Sequence, residues 1–277
     1  MSMLEKLKYK NHRNEVFDFG VDGIYINAND LRDYEWSVAQ RNNRVASFYR
    51  ETATRTLPVV IMCDTAEKGI AARNKLFEVV EKDVLAAKHG QIIIGDYYYR
   101  CYVVASRKSD YSRTERRMRV ELTLVSDYPY WVRETEHAVA TGADGGFTPG
   151  SNYAFWDYPH DYCGTNQLQS LVNPNFVASN CRLIIHGAAV NPTVYIGGHK
   201  YRVDCTVADG EYLTIDTVAK TVVLTKNNGE QVNEFKNRCR DSYIFEKIPS
   251  GKVDVTWDGD LSMTVVLLEE RSEPKWT

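Results

Sequence analysis

Residues 116–131 read "RRMRVELTLVSDYPYW" and combine a strand with the signal that stops it. Apolar side chains occupy every second position from Met118 to Leu124, which predicts a β-strand with one face toward a core. Pro129 has no amide hydrogen and disfavours helical geometry at the residue before it, so the strand must end here. We expect Tyr130 and Trp131 to fold back on that core and to fix how the chain leaves its first domain.

Upstream of this stretch, residues 1–133 are predicted to form a strand-rich domain around one amphipathic helix. The helix is expected at about residues 65–89, with Asp64 as its N-cap, Glu67 completing a capping box and an end near Gly90. The face expected to be buried carries Ala66, Ile70, Phe77, Val80 and Val84.

Two hairpins are predicted on either side of the helix. Residues 15–27 consist of two short alternating runs about a Val-Asp-Gly turn, and residues 91–106 consist of two β-rich runs joined at Gly95-Asp96. A glycine-containing pair between alternating runs is typical of a two-residue hairpin loop.

Downstream of Trp131 the composition changes. Residues 134–152 contain four glycines, a proline and few large apolar side chains, which favours a linker. Residues 153–277 then show turn signals such as Gly197-Gly198 and Asp209-Gly210 every eight to twelve positions, with alternating runs between them. This spacing without a helical pattern predicts an antiparallel β-sandwich.

Composition agrees with two soluble domains and excludes several classes of protein. The chain has 277 residues, 43% of them hydrophobic and 26% charged, and a formal net charge of -3, which is too weak a bias to argue for nucleic-acid binding. The start lacks an apolar signal segment, and no apolar run approaches the length of a membrane span, so we expect a cytosolically made protein with no membrane partner. Its six cysteines are predicted to be reduced.

The search for a metal or catalytic site returns weak candidates. Cys181, His186, His199 and Cys205 are zinc-type ligands within one short stretch, but Cys181 and His186 should face opposite sides of their strand. No nucleophile stands in a recognisable motif with a histidine partner. We therefore predict no metal, no cofactor and no catalytic residue, and hence no enzyme.

The basic segment at residues 107–119 has two interpretations. Its cations suit a contact with phosphate or with the acidic face of another subunit, and Arg116, Arg117, Arg119 and Glu121 are the candidate interface residues. A solvated hairpin tip is the equally weighted alternative.

Four stretches taken in order carry a resemblance to a known family. They are "SDYPYW" at residues 126–131, "GEYLTIDTVAKTVVL" at 210–224, "YIFEKIPSGKVDVTW" at 243–257 and "ERSEPKW" at 270–276. Together they are similar to the distal tail protein (Dit) family of long-tailed bacteriophages. The matching positions are Pro129, Tyr130, Trp131, Ile215, Asp216, Pro274 and Trp276.

The resemblance implies a structural protein of the virion tail tip that is assembled in the bacterial host cytoplasm. In that family the N-terminal domains form a homohexameric ring, through which DNA passes, and a galectin-like β-sandwich projects outward. The implied partners are further copies of the chain, the tail tube protein, the tail-associated hub protein and receptor-binding or baseplate proteins.

A carbohydrate-binding module that recognises a bacterial surface polysaccharide is the alternative function. The aromatic run at residues 153–162 contains Trp156 and Tyr158, which suit stacking on a sugar or on a partner protein. Packing of these rings against the sandwich is the competing interpretation.

Overall fold

The computed structural model describes residues 6–21, 23–110, 116–140, 167–259 and 261–276. The chain divides into two compact units, Met1–Arg133 with Glu270–Thr277, and Glu134–Glu269. Antiparallel strands dominate both units, and one α-helix lies in the described part of the first, so the predicted mostly-β, α+β class is confirmed. Among the described helices, none has the length and apolar character needed to cross a membrane.

Among its described residues, the first unit contains ten strands and the helix. They are β1 (Leu7–Lys10), β2 (Val16–Asp18), β3 (Ile24–Ile26), β4 (Ser37–Arg41), β5 (Arg44–Tyr49), β6 (Ala53–Met62), α1 (Ala66–Ala86), β7 (Gly90–Ile94), β8 (Tyr97–Asp110), β9 (Arg117–Ser126) and the first residues of β10 (Trp131–Ala140).

Strand β8 belongs to two ladders. Its first half pairs with β7 across the predicted Gly95-Asp96 hairpin, and β7 continues the ladder through β1 to β2. Its second half pairs with β9, which continues through β6 to β3. Register shifts at Val103/Ala105 and Lys108/Asp110 interrupt the second half. The extra residue at each register shift bends the strand, and this bend allows one long strand to pair in both ladders.

The hairpin predicted for residues 15–27 is wrong. Strand β2 pairs with β1, and β3 pairs with β6, so the two short runs belong to different ladders. A turn does form between them, because the Gly20 amide donates a hydrogen bond to the Ile24 carbonyl. The strand that follows this turn, however, pairs with β6. Alternation identifies strands without identifying which strand each one pairs with.

Helix α1 begins one residue later than predicted. Its N-cap is Thr65, whose hydroxyl accepts a hydrogen bond from the Lys68 amide, and Ala87 ends it in a left-handed conformation. Asp64 is 94% exposed and lies 4.0 Å from the Lys68 ammonium. Gly90 already belongs to β7, where a side chain would collide with Tyr9 and Asp83.

The buried face of α1 also differs from the prediction. The side chains that enter the core include Leu76, Val79 and Val80, whereas Ile70 and Val84 stay exposed. Asp83 on the buried face accepts hydrogen bonds from the Tyr9 hydroxyl (2.6 Å) and from the His12 amide (2.8 Å). The helix is apolar on more than one side, and these polar contacts choose the orientation that buries Asp83 with its partners.

The second unit contains the rest of β10 and eleven further strands. They are β11 (Gln167–Asn173), β12 (Cys181–His186), β13 (Ala189–Val190), β14 (Thr193–Ile196), β15 (His199–Arg202), β16 (Thr206–Val207), β17 (Tyr212–Asp216), β18 (Thr221–Thr225), β19 (Gln231–Asn233), β20 (Gly251–Trp257) and β21 (Ser262–Arg271).

Two sheets of this unit share one apolar core. Strands follow the order β19-β18-β17-β12-β21-β10 in one sheet and β11-β20-β14-β15 in the other, and β13 pairs with β16. Leu183 and Ile185 of the first sheet and Val255 and Trp257 of the second are fully or almost fully buried in the common cluster. The predicted β-sandwich is therefore confirmed.

Both ends of the second unit lie elsewhere than predicted. The linker was expected to begin at residue 134, but β10 runs to Ala140, and β21 is its neighbour in the sheet. Residues 141–152 of the expected linker lie outside the described residues. The last residues, Glu270–Thr277, group with the first unit and not with the sandwich. Backbone pairing with β21 explains why a polar segment without a strong alternating pattern is a strand.

Replacing the cap of α1 tests the assignment of the helix start. We expect Thr65→Ala to lower the free energy of unfolding by about 1 kcal/mol, because the Lys68 amide loses its acceptor. Asp64→Ala is the matched control and is expected to cost less than half as much, since Asp64 is exposed. Urea unfolding monitored by circular dichroism measures both free energies. A larger loss of stability for Asp64→Ala would show that Asp64 is the N-cap, as predicted from the sequence.

Candidate functional site

The metal candidate drawn from sequence is dispersed in the structure. Cys181 is buried in the core, and His186 on the same strand is exposed. The Nε2 atom of His186 lies 3.2 Å from the Thr264 hydroxyl, and that of His199 lies 2.9 Å from the Tyr243 carbonyl. Over the ranges that the structure describes, no group of three or more potential ligands converges.

A cleft of about 500 Å³ beside the start of α1 offers little for acid–base chemistry. Met62, Cys63, Asp64, Lys68 and Lys75 are among the residues that line it. Asp64 and Lys68 are both largely exposed, so their charges are solvated and interact weakly.

The aromatic turn at the end of β9 is held from several sides. Pro129 is buried, and the Tyr128 amide donates to the Ser126 hydroxyl at 3.2 Å. Trp131 is 1% exposed, its ring centroid lies 5.3 Å from that of Tyr99, and its indole nitrogen donates to the Leu31 carbonyl at 3.3 Å. The turn therefore anchors the first residue of β10 in the core of the first unit.

Tyr130 belongs to an arginine–aromatic stack on the surface of the same unit. Its ring lies 6.3 Å from that of Trp36, edge to face, and the Arg50 guanidinium lies 5.1 Å from the Tyr130 centroid and 5.6 Å from the Trp36 centroid. Burial lowers the pKa of Arg50 from its usual value. Guanidinium groups over aromatic faces are common at protein interfaces.

The C-terminal segment is held on the first unit by Arg32. The guanidinium donates to the Pro274 carbonyl at 2.8 Å and to the Glu273 carboxylate at 3.3 Å, and it stacks 3.7 Å from the Trp276 ring centroid. Tyr128 also donates a hydrogen bond to Glu270. Trp276 nevertheless remains 75% exposed, which makes it an accessible aromatic surface.

Strands β4 and β5 form a two-stranded hairpin that pairs with no other described strand, and we call residues 37–49 the arm. All six residues of β5 are exposed, including Phe48 at 63% and Val45 at 56%. A two-stranded hairpin is marginally stable by itself, and unpaired edges with apolar side chains are typical of surfaces that contact other chains.

The candidate interface residues of the basic segment lie on and beside β9. Arg116, Arg117 and Arg119 are exposed, and Glu121 is half-buried. Glu121 stands opposite Arg107 of β8 in the register, so its nearest cross-strand cation belongs to its own chain. All four residues thus lie within six consecutive positions, on β9 or just before it, and β9 pairs with β6 on one side and with β8 on the other.

Two motif residues of the second unit have structural positions. Ile215 is fully buried, and the Asp216 carboxylate accepts hydrogen bonds from the Val218 and Ala219 amides at 2.8 Å each. That pattern closes the loop between β17 and β18. Trp156 and Tyr158, the candidates for glycan or partner contact, lie outside the described residues. Trp257 is 4% exposed in the core and has no face free for a sugar.

Sequence reasoning missed the arm and Arg50. A signal was present, because Asn42 and Asn43 between two alternating runs are typical of a hairpin turn with left-handed residues, and both have positive φ angles, 52° and 58°. The packing of Arg50 beside the Trp36 and Tyr130 rings was not predictable from the residues next to it in the sequence.

The fold is similar to three solved chains of phage tail structures. Two come from the phage P2 baseplate in its activated conformation, one with Ca (TM-score 0.64, 98% of this chain and 100% of that chain covered) and one with Sr (0.62, 96% and 98%). The third is SPP1 Dit (gp 19.1), described as a paradigm of the hub adsorption apparatus in phages infecting Gram-positive hosts (0.57, 97% and 99%). Each is 10% identical in sequence.

No protein-family model and no curated protein matches the sequence. The structural likeness spans nearly the whole length of each chain and includes both units, so the resemblance to the Dit family drawn from the sequence motifs is confirmed in fold. Because one fold supports many activities, function requires a separate argument.

Removal of the Arg32 contacts tests how the C-terminal segment is held. We expect Arg32→Gln to loosen residues 272–276 because it removes the ion pair with Glu273 and the stacking on Trp276. Trypsin should then cleave after Lys275 several-fold faster than in the wild type, as followed by mass spectrometry. Arg44→Gln, an exposed arm residue with the same change of charge, is the control, and equal cleavage of both variants would contradict the assignment.

Alkylation tests the state of the thiols. Burial raises the pKa of Cys205 to about 11 and that of Cys181 to about 12, whereas both would ionise near 9 in an exposed setting. Iodoacetamide at pH 8 should therefore label Cys205 at least tenfold more slowly in the folded protein than in urea, and the folded rate should keep rising with pH above 9. Rapid labelling of Cys205 at pH 8 would disagree with its burial.

Proposed function

We propose that this chain is a structural hub protein of a bacteriophage tail tip, of the distal tail (Dit) type. The observation that carries the proposal is the likeness in fold to baseplate and Dit chains with almost complete coverage in both directions. A match confined to the sandwich would support any of the many proteins built on a β-sandwich. A match that includes both units in the same order supports the specific two-unit arrangement of the hub proteins.

The second support is the surface of the first unit. It exposes an unpartnered arm with apolar and cationic side chains, the Arg116–Arg119 segment and the Trp276 ring. A ring requires head-to-tail contacts, in which one patch of a subunit meets a different patch of the next. Several distinct patches on one unit are what such a ring needs.

In the full proposal, six copies form a ring through their first units, and DNA passes through the channel. The tail tube protein and the tail-associated hub protein bind the ring, and the β-sandwich docks receptor-binding or baseplate proteins. The complex assembles in the host cytoplasm and becomes part of the virion tail tip. The work of the chain is to connect other proteins, so it has a structural and not a catalytic role.

Arg116, Arg117, Arg119 and Glu121 are proposed as part of the contact between subunits. The three arginines are exposed, and a closed ring of cationic surfaces would repel itself unless acids of the neighbour, such as Asp127, faced them. Contacts of this kind are weakened by salt because exposed charges are screened within about 10 Å at 0.1 M.

The mass of the purified protein in solution tests the proposal. Light scattering over a range of concentrations should give six times the chain mass of 31.7 kDa, or a mixture that approaches it, and negative-stain images should show rings. A monomer at every concentration would contradict the hub assignment.

Charge reversal tests the arginine contact separately. Arg116→Glu combined with Arg117→Glu should shift the ring toward monomer and raise the concentration needed for assembly at least tenfold. Lys247→Glu with Lys252→Glu, exposed in the second unit, makes the same change of charge and should leave the mass unchanged. Equal assembly of both double variants at all salt concentrations would remove these arginines from the interface.

A further inference from the structure

The Arg50 guanidinium has buried hydrogen-bond donors for which the described residues supply no acceptor. Its Cζ atom lies 5.6 Å from the Trp36 ring centroid and 5.1 Å from the Tyr130 ring centroid, and the donors without an acceptor are Nε and Nη1. A guanidinium carries five N–H donors and keeps its charge at all physiological pH values. Burying such donors without acceptors is costly, so positions of this kind are almost always paired in a completed structure.

The groups around Arg50 do not compensate its charge. Those that act on it electrostatically include Tyr34, Tyr99, Tyr130 and a second cation, Arg55, and none of the four is a carboxylate. Arg55 already donates to the Asp33 carbonyl. The Arg50 guanidinium is therefore a partly dehydrated cation beside two aromatic rings.

This position is continuous with the arm. Arg50 directly follows Tyr49, the last residue of β5, and Tyr49 and Phe48 are both exposed. Residues 37–50 contain three arginines and no acid, whereas the chain as a whole has a net charge of -3. An acid-bearing copy of the same chain is thus complementary in charge to the arm.

We propose that Arg50 receives a carboxylate of a second copy of this chain when the arm docks, so that this site is complete only in the oligomer. The inference rests on the proposed hub function and names one specific contact within it. A carboxylate accepts two parallel N–H bonds from a guanidinium, and the Trp36 and Tyr130 rings pack beside this guanidinium and restrict its movement. The pair also excludes water on docking, which strengthens its hydrogen bonds.

Matched variants of Arg50, at the base of the arm, and of Arg44, at its tip, test the contact. Arg50→Gln removes the buried cation, and Arg44→Gln removes an exposed cation at the tip of the same arm. The half-assembly concentration from light scattering should rise on the order of tenfold or more for Arg50→Gln and less than threefold for Arg44→Gln. Arg50→Lys, which keeps the charge without the planar fork, should fall between them.

Unfolding of the isolated monomer separates this role from a purely structural one. At concentrations below assembly, Arg50→Gln should unfold at the same temperature as the wild type or higher, because the variant removes a cation from a partly buried position. A lower unfolding temperature that accounts for the loss of assembly would show that Arg50 supports the monomer, and would overturn the proposal.

The remaining outcomes are each decisive. Wild-type rings with an unchanged half-assembly concentration for Arg50→Gln would overturn this contact and leave the hub function standing, whereas a wild type that stays monomeric would overturn both. Equal losses for Arg50→Gln and Arg44→Gln would show general charge attraction instead of a specific site. If 10 mM citrate or phosphate stabilises wild-type monomer but not Arg50→Gln, with assembly unchanged, the occupant is a free oxyanion and not a second copy.

Discussion

The burial of Trp131 is the interaction on which the arrangement of the first unit depends. The side chain stands at the first position of β10, packs on Tyr99 and donates to the Leu31 carbonyl. Burial of an aromatic side chain of this size removes on the order of 200 Å² from water, worth about 5 kcal/mol as an upper estimate. Pro129, two residues earlier, lies in the turn after β9, and the chain enters β10 at the anchored Trp131. Both the turn before it and the strand after it are positioned by that anchor.

Arginine side chains organise the surface around the anchor. Arg32 holds the C-terminal segment through a carbonyl, a carboxylate and the Trp276 ring, and Arg50 packs beside Trp36 and Tyr130 at the base of the arm. The two residues differ in one respect that matters for function. Arg32 finds its acceptors within the chain, whereas Arg50 keeps buried donors that its surroundings do not satisfy. Arg32 thus holds a segment of its own chain, whereas Arg50 is the residue that we propose as a contact to a second copy.

How far prediction from sequence extends is shown by α1 and the strands on either side of it. Alternation located β9 and the hairpin at Gly95-Asp96, and the capping pattern placed the helix to within a residue at its start. The buried face was wrong because α1 is apolar on more than one side, and Asp83 enters the core with Tyr9 and His12 while Ile70 stays outside. Likewise, β2 and β3 were recognised as strands, but they pair with β1 and β6 and not with each other. Arg117, Arg119 and Glu121 lie on the predicted strand, Arg116 lies just before it, and their part in an interface is still a proposal.

What the sequence by itself determined are the features set by near neighbours along the chain. Pro129 lacks an amide hydrogen and keeps the residues after Ser126 from extending β9, Asp216 closes a loop by accepting from amides two and three residues on, and alternation of apolar side chains makes strands with one buried face. Tertiary structure alone decided the features that need residues far apart to meet. The strand pairing of residues 134–140, the return of Glu270–Thr277 to the first unit and the aromatic surroundings of Arg50 all follow from packing between distant segments. Their energies depend on burial, which no local pattern specifies.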